Sequence, residues 1–455
     1  MTSTSLKTSY SPLPEPKGYP LIGHALNYRL NPLSFYSNCA EYGDFVRLWF
    51  GPHPVYFLNH PDLIKSVFVT HGACFMGRAE GRESRFFDPL FGHGLAVSEG
   101  DFWRRMRRLV QPVFQRHHLA EYGNIAVATA QAELATWPSM ELLAIRDRTT
   151  QLTRKIVSQI CFGEAGVTHF QTIEAVLNAA LAEYDNRDRN WLLYLLPEHF
   201  PTPSNRRYQQ AAKALDTLLY DLIDQCRRTQ ADDGSMLTQL LQVRDETGGG
   251  MSDREIRDEL MNVVIGHDTL SDVLGWAWWL ISQHPEVEAK LVTEWQTVLN
   301  GRSPAMADLP RLTYTERVIT ETLRLYPLAW VTGRVCSQDC EIGGQPIHKG
   351  ENVVMCQWVT HYDPRFFDQP HEFNPDRWAP EAAKHIPHYA YYPFGGGPRV
   401  CIGRGLTMME TVLLLAEIGQ RFRLHPLPNQ SITPYPGPSF SLRPKPNLQM
   451  ELIPR

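Results

Sequence analysis

Between Ser252 and His284 the sequence carries the pattern of a single helix of some 30 residues. Ser252 and Glu255 make a capping-box pair, apolar periodicity runs from Asp253 to about Gln283, and His284-Pro285 ends it. At full length such a helix is roughly 45 Å long, enough to cross a whole domain. Its second half, VLGWAWWLI, is apolar nearly all round, and a helix without a polar face has to be covered on every side. His267, Asp268 and Asp272 interrupt the apolar stretch, which argues for burial in a protein core and against a membrane span. The chain must therefore supply other helices to wrap this one.

The remaining pattern supplies them. From Asp101 to about Gln242 the periodicity is helical, broken at Leu196-Pro197 and Pro201-Thr202-Pro203, and a further helix is predicted from Gly403 to Phe422. FVRLWFGPHPVYFL, Phe45 to Leu58, reads as two apolar segments joined at a turn, and Leu448, Met450 and Leu452 alternate with Gln449 and Glu451 as in a strand. The fold class expected is mainly α with small β-sheets, β-rich at about 40–70 and helical over about 100–425. At 455 residues a division into two or three domains would be ordinary, yet no linker or repeat appears. Asp245 to Asp253, DETGGGMSD, reads as an interhelical loop, so residues 1–455 are expected to form one domain.

Composition excludes several function classes. A net charge of −5 leaves no basic excess to neutralise phosphates, so nucleic acid is not expected as a partner. MTSTSLKTSYSPLPEPKGYP has no long apolar core, so the expectation is a cytoplasmic protein with neither secretory signal nor membrane anchor. Eight cysteines without CxxC pairs rule out zinc-ribbon and thioredoxin readings, and seven of them read as small buried apolar residues.

The eighth, Cys401, sits in FGGGPRVCIG, Phe394 to Gly403, ahead of a predicted helix. Gly395, Gly396 and Gly397 let a flat ligand approach the main chain. The positive end of the following helix favours thiolate over thiol, and a thiolate is a metal ligand.

This segment resembles the haem-binding signature of the cytochrome P450 family, F-x-x-G-x-R-x-C-x-G, at every specified position. The resemblance implies haem b with Cys401 as axial iron ligand, a thiolate that donates electron density and favours O–O cleavage. It also implies Arg399 on a haem propionate and Phe394 and Gly395 beside the thiolate. Other motifs fit in the family's order. Trp103 and Arg107 match a W-x-x-x-R helix that reaches the propionates, and Arg334 stands where a strand arginine adds a contact. Glu321 and Arg324 of ETLR, one turn apart on a helix, are expected to join Arg377 of HEFNPDRW in a structural triad.

IGHDTLS, Ile265 to Ser271, resembles the family's oxygen-activation motif. Gly266 would leave room for dioxygen, while Asp268 and Thr269 would form the acid and alcohol of a proton relay. Thr269 is also expected to bond the helix's own carbonyls and open a local kink. Ile265, where a small residue is usual, and Leu270, in place of a second hydroxyl residue, depart from the pattern and put substrate size and orientation in question.

The implied protein is a soluble, bacterial-type, monomeric haem-thiolate monooxygenase. It would insert one atom of dioxygen into a lipophilic small molecule, with fatty acids and terpenoids favoured. Electrons would come from a ferredoxin- or flavodoxin-type donor and its reductase, docking on the arginines of the Trp103 helix. Ile265, Leu328 and Trp330 are pocket candidates, as are the loop from Cys74 to Ala96, with Phe86 and Phe87, and the region from Trp191 to Tyr208. Alternatives are a peroxygenase or isomerase without a redox partner and a haem-based ligand sensor. Retention of Asp268 and Thr269 favours the monooxygenase over the first, and the absence of an output domain disfavours the second.

Overall fold

The computed structural model describes residues 12–75, 92–137, 140–190, 193, 200–230, 232–436 and 441–455. Phe86, Phe87 and Trp191 lie outside this set, with most of the Cys74–Ala96 loop and the first part of the Trp191–Tyr208 region. The chain forms two compact units, each assembled from separate stretches of sequence.

The first unit draws on Met1–Glu80, Ala329–His371 and Lys384–Cys401. The hairpin read from the sequence is present as β1 (Phe45–Phe50) and β2 (His53–Leu58), paired from Phe45↔Leu58 to Phe50↔His53. Two later strands extend it, β3 (Thr332–Val335) and β4 (Asn352–Met355), in the order β1-β2-β4-β3. β4 runs parallel to β2, and β3 antiparallel to β4 with Arg334 opposite Val353. Tyr56, Leu58, Val353 and Met355 close over Ile64, Val67, Phe68, Ile342, Ile347, Tyr389 and Tyr392 to make this unit's core.

The second unit, Gly81–Leu328 with Glu372–Ala383 and Ile402–Arg455, is helical. Its principal helices are α1 (Gly100–Val110), α2 (Ile145–Thr168), α3 (Asp253–His267), α4 (Leu270–Gln283), α5 (Thr313–Leu325) and α6 (Arg404–Arg421). A three-stranded sheet joins Leu142–Ala144, Gln449–Pro454 and Phe422–Pro426. α2 packs against α3 and α4, and α6 against α4, α5 and Arg116–Leu134. Among the described residues no helix is long and apolar enough to cross a membrane.

The helix expected from Asp253 to Gln283 starts as predicted, with the reciprocal Ser252–Glu255 capping box, but it is two helices. The Thr269 hydroxyl donates to the Gly266 carbonyl at 2.8 Å, while Asp268 N–H tightens onto Ile265 O at 3.3 Å. Side-chain capture of a backbone acceptor is what interrupts the i to i−4 ladder. α4 is buried as its composition requires: Trp276 is fully enclosed, stacked on Tyr326 at 3.6 Å between ring centroids, and donates its indole N–H to Leu442 O at 2.8 Å.

Candidate active site

In the first unit the cysteine loop is closed by its own backbone. Gly395 N–H donates to Tyr392 O, Val400 N–H to Gly397 O, and Cys401 N–H to Phe394 O at 3.0 Å. The loop lies on Phe68. Gly397, at φ +64°, comes so close that a Cβ there would stand 1.9 Å from the Phe68 carbonyl oxygen, so no other residue is accommodated. Gly395 faces the other way, with no heavy atom within 4 Å of where its Cβ would be.

Cys401 is the exposed member of the eight cysteines. Burial pushes the Cys39 thiol up to about 12 and also raises Cys161 and Cys356, in keeping with inert packing roles. Arg399 is half-buried on the loop. The Arg334 guanidinium lies 5.7 Å from the Phe68 ring centroid and donates to Gly333 O. Phe68 thus supports both the loop and Arg334. Trp330 is buried in this unit's core, its ring 6.3 Å from Tyr36 and its carbonyl accepting from Trp358 N–H.

In the second unit the break between α3 and α4 exposes Gly266, with open space beside its Cα. Ile265 and Thr269 beside it are half-buried, and Leu328 is buried. Three polar side chains at the break each engage a different neighbour. Asp268 Oδ1 accepts from Arg154 Nε of α2 at 2.6 Å, and Arg154 Nη1 reaches Asn178 at 2.7 Å. His267 Nε2 meets Glu410 Oε2 of α6 at 2.6 Å. Asp272 accepts from Arg146 and from Ser441, both at 2.6 Å. These buried contacts explain why polar residues interrupt an otherwise apolar helix: Asp268 and Asp272 leave water only with an arginine beside them, and His267 only with a hydrogen-bond partner.

Glu321, Arg324 and Arg377 come together. Arg324 grips Glu321 through two bonds of 2.8 Å with both residues fully buried, and Arg377 Nε reaches Glu321 Oε1 at 3.3 Å. The cluster is larger than the motif: Trp378 Nε1 at 2.8 Å and Asn374 N–H at 3.1 Å also donate to Glu321, and Arg324 donates to Glu372 O.

Trp103 is buried in α1, and Arg107 is half-buried one turn later. The other arginines of this helix are less available to a partner than their run suggests. Arg105 is bound to Asp245 at 2.9 Å, Glu255 at 2.8 Å and Gly250 O, while Arg104 pairs with Asp101 and Arg108 with Glu246. The Thr247 hydroxyl and Arg105 hold the Asp245 carboxyl well below the usual carboxylate range. The acids on this face come from α1 itself, from the Asp245–Asp253 loop and from α3.

The first unit by itself fits a flat, anionic, iron-bearing cofactor: the exposed Cys401 stands near the open face of Gly395, with Arg399 and Arg334 on the same unit. The second unit, taken by itself, offers open space at Gly266. The comparisons agree. The family model for Cytochrome P450 matches residues 13–451. Cyclooctatin synthase of Streptomyces melanosporofaciens is 36% identical over 94% of this chain and 93% of its own length. Cyclooctat-9-en-7-ol 5-monooxygenase of the same species is 33% identical over 92% and 90%. Pentalenene oxygenase of Streptomyces avermitilis is 32% identical over 92% of each chain. Among solved structures, the cytochrome P450DA haem domain superposes with a TM-score of 0.86 at 26% identity over 98% of both chains. A retinoic-acid-bound cyanobacterial CYP120A1 shares the fold, with a TM-score of 0.85 at 23% identity over 98% of this chain and all of its own.

Proposed function

The chain belongs to the cytochrome P450 family, haem enzymes that oxidise substrates with molecular oxygen, and on that premise we propose that it hydroxylates or epoxidises a cyclic terpenoid. Haem, when bound, supplies the chemistry that activates dioxygen and delivers one of its atoms to carbon. In this reading Cys401 is its thiolate ligand, flanked by Phe394 and Gly395. Arg399, Arg334 and Arg107, with Trp103, hold the propionates, where charge-assisted hydrogen bonds make a buried carboxylate tolerable. Glu321, Arg324 and Arg377 brace the fold. The interleaving of both units along the chain supports one catalytic domain.

The observation that carries the monooxygenase reading is the break at Gly266–Thr269. Thr269 donates to Gly266 O and keeps its oxygen lone pairs for a water molecule or substrate oxygen. Asp268, held by Arg154, fixes a carboxyl group next to it in sequence. In this reading the two would supply the alcohol and the acid of a proton relay. The names of the relatives, cyclooctatin, cyclooctat-9-en-7-ol and pentalenene, support a cyclic hydrocarbon skeleton or its alcohol as substrate. Ile265 would narrow its pocket. A separate ferredoxin-type donor with its reductase, and a cytoplasmic location, complete the proposal.

Incubation with a cyclic terpene hydrocarbon, ferredoxin, reductase and ¹⁸O-labelled dioxygen tests it. One labelled oxygen per product molecule is expected, and label drawn from water instead would contradict the proposal. In the same assay Thr269→Ala is expected to lower product formation on the order of 10²-fold. Turnover driven by added peroxide should be better preserved. Equal loss in both assays would count against a proton-delivery role for Thr269.

A further inference from the structure

The segment leading into α1 is held by one face of α3. His93 N–H donates to Asp258 Oδ2 at 2.8 Å, Leu95 N–H to Glu259 Oε1 at 2.6 Å, and Ala96 N–H to Asn262 Oδ1 at 3.2 Å. Positions 258, 259 and 262 lie along one stripe of a helix. Asn262 is itself oriented by donating through Nδ2 to the Asp258 carbonyl at 2.6 Å. The approach is so close that a side chain on either loop glycine would displace its partner on α3. A Cβ on Gly94 would stand 1.9 Å from Asn262 Nδ2, and one on Gly92 would stand 2.1 Å from Asp258 Oδ1. α1 begins a few residues later at Gly100, and from within it Arg105 returns to α3 at Glu255. The start of α1 is therefore pinned to α3 twice, by the loop and by an ion pair.

We propose that Asp258, Glu259 and Asn262 form a positioning latch that seats α1 and, through it, Trp103 and Arg107. The inference rests on the reading that this pair holds the haem propionates. The three latch residues act through the backbone of residues 93–96 and not on the cofactor, and removing them should tilt the helix that carries the pair.

Glu259 makes the latch proton-dependent. It is buried, and its carboxyl is pushed up to about 8, chiefly by burial and further by Asp258 and Glu255, against the lowering effect of the Leu95 N–H. The cations around this face are engaged elsewhere: Arg257 and Arg254 meet Asp258, Arg257 also meets Asp216, and Arg105 meets Glu255 and Asp245. A folded value above the ordinary 4.5 means that the contribution of Glu259 to stability is complete below about pH 4.5 and lost as pH rises through about 8. Above that range a third carboxylate has to be held beside Asp258 and Glu255.

The test uses the haem-loaded enzyme and two readouts independent of turnover: amide hydrogen exchange over residues 92–97, and the rate of haem transfer to excess apomyoglobin. Glu259→Ala is expected to raise exchange at Leu95 and Ala96 and to speed haem loss on the order of tenfold, as loss of outer support does at cofactor sites. Glu259→Gln keeps an acceptor oxygen and cannot ionise. It should retain haem like the parent and abolish the acceleration of haem loss expected between about pH 7 and 9. Should Glu259→Ala not fold, Gly94→Ala opens the latch from the loop side and is expected to give the same pair of changes. Faster exchange with unchanged haem loss would overturn the proposal, as would haem loss in the parent that is flat across that pH range. A parent chain that takes up no haem contradicts the proposed function and this inference with it. A loaded chain whose haem loss ignores Glu259 contradicts this inference alone.

Discussion

Replacement of Arg324 by alanine is expected to yield a chain that loses most of its stability and retains no haem through purification. Arg324 and Glu321 are fully buried and joined by two hydrogen bonds, and Arg324 also satisfies the Glu372 carbonyl. Removing the guanidinium leaves a carboxylate out of water with Arg377 at 3.3 Å as its nearest remaining cation. Breaking a buried pair from one side costs about 3–5 kcal/mol, against a total stability of about 5–15 kcal/mol for a folded protein. Arg324→Lys should rescue only part of the loss, because one ammonium cannot span both carboxylate oxygens and the carbonyl in a planar fork. Urea unfolding and haem content per chain read the effect. An Arg324→Ala variant within about 1 kcal/mol of the parent would contradict a bracing role, since that is the range of unremarkable substitutions.

Cys401→Ser is expected to separate chemistry from folding. Cys401 is exposed and its N–H bond to Phe394 O is a backbone bond, which serine keeps. The change in stability should stay within about 0.5 kcal/mol, the range of surface substitutions away from special features. Function should disappear, because a serine oxygen is a far poorer iron ligand and electron donor than the thiolate that this reading assigns to Cys401. The expected result is an unchanged melting temperature, haem spectra without thiolate character, and no product above background. Substantial turnover in this variant would remove Cys401 from the role assigned to it.

Much of this arrangement is legible in the sequence, and the parts that are not have physical reasons. The Ser252–Glu255 box, the Phe45–Leu58 hairpin and the helix after Cys401 are local features, set by neighbours within a few residues, and each is present. The pairing of β2 with β4 joins Val55 to Asn352. Alternation tells which face of a strand is buried but not which strand lies beside it. The apolar periodicity of the long helix runs unbroken across Thr269 and gives no sign of two helices. The capture of a helix carbonyl expected of Thr269 from the motif is present, and it goes further than a kink by dividing the helix.

The site shows the same division. Glu321 and Arg324 announce themselves by a three-residue spacing, whereas Trp378 and Asn374 do not, since a loop carries them to Glu321 without periodicity. Arg154 with Asp268, and Glu410 with His267, depend on how α2 and α6 pack on the broken helix, and no spacing in the sequence encodes that. The basic run of α1 suggests a docking face, and within it Arg105 is already paired with Asp245 and Glu255, acids that the run itself does not reveal.

The most direct test of the central claim is the absorption spectrum of the haem-loaded protein after reduction and exposure to carbon monoxide. A thiolate from Cys401 predicts the strongly red-shifted Soret band that distinguishes sulfur-ligated haem from histidine-ligated haem, present in the parent and absent from Cys401→Ser. A folded, haem-loaded parent that shows only the unshifted band would contradict the account.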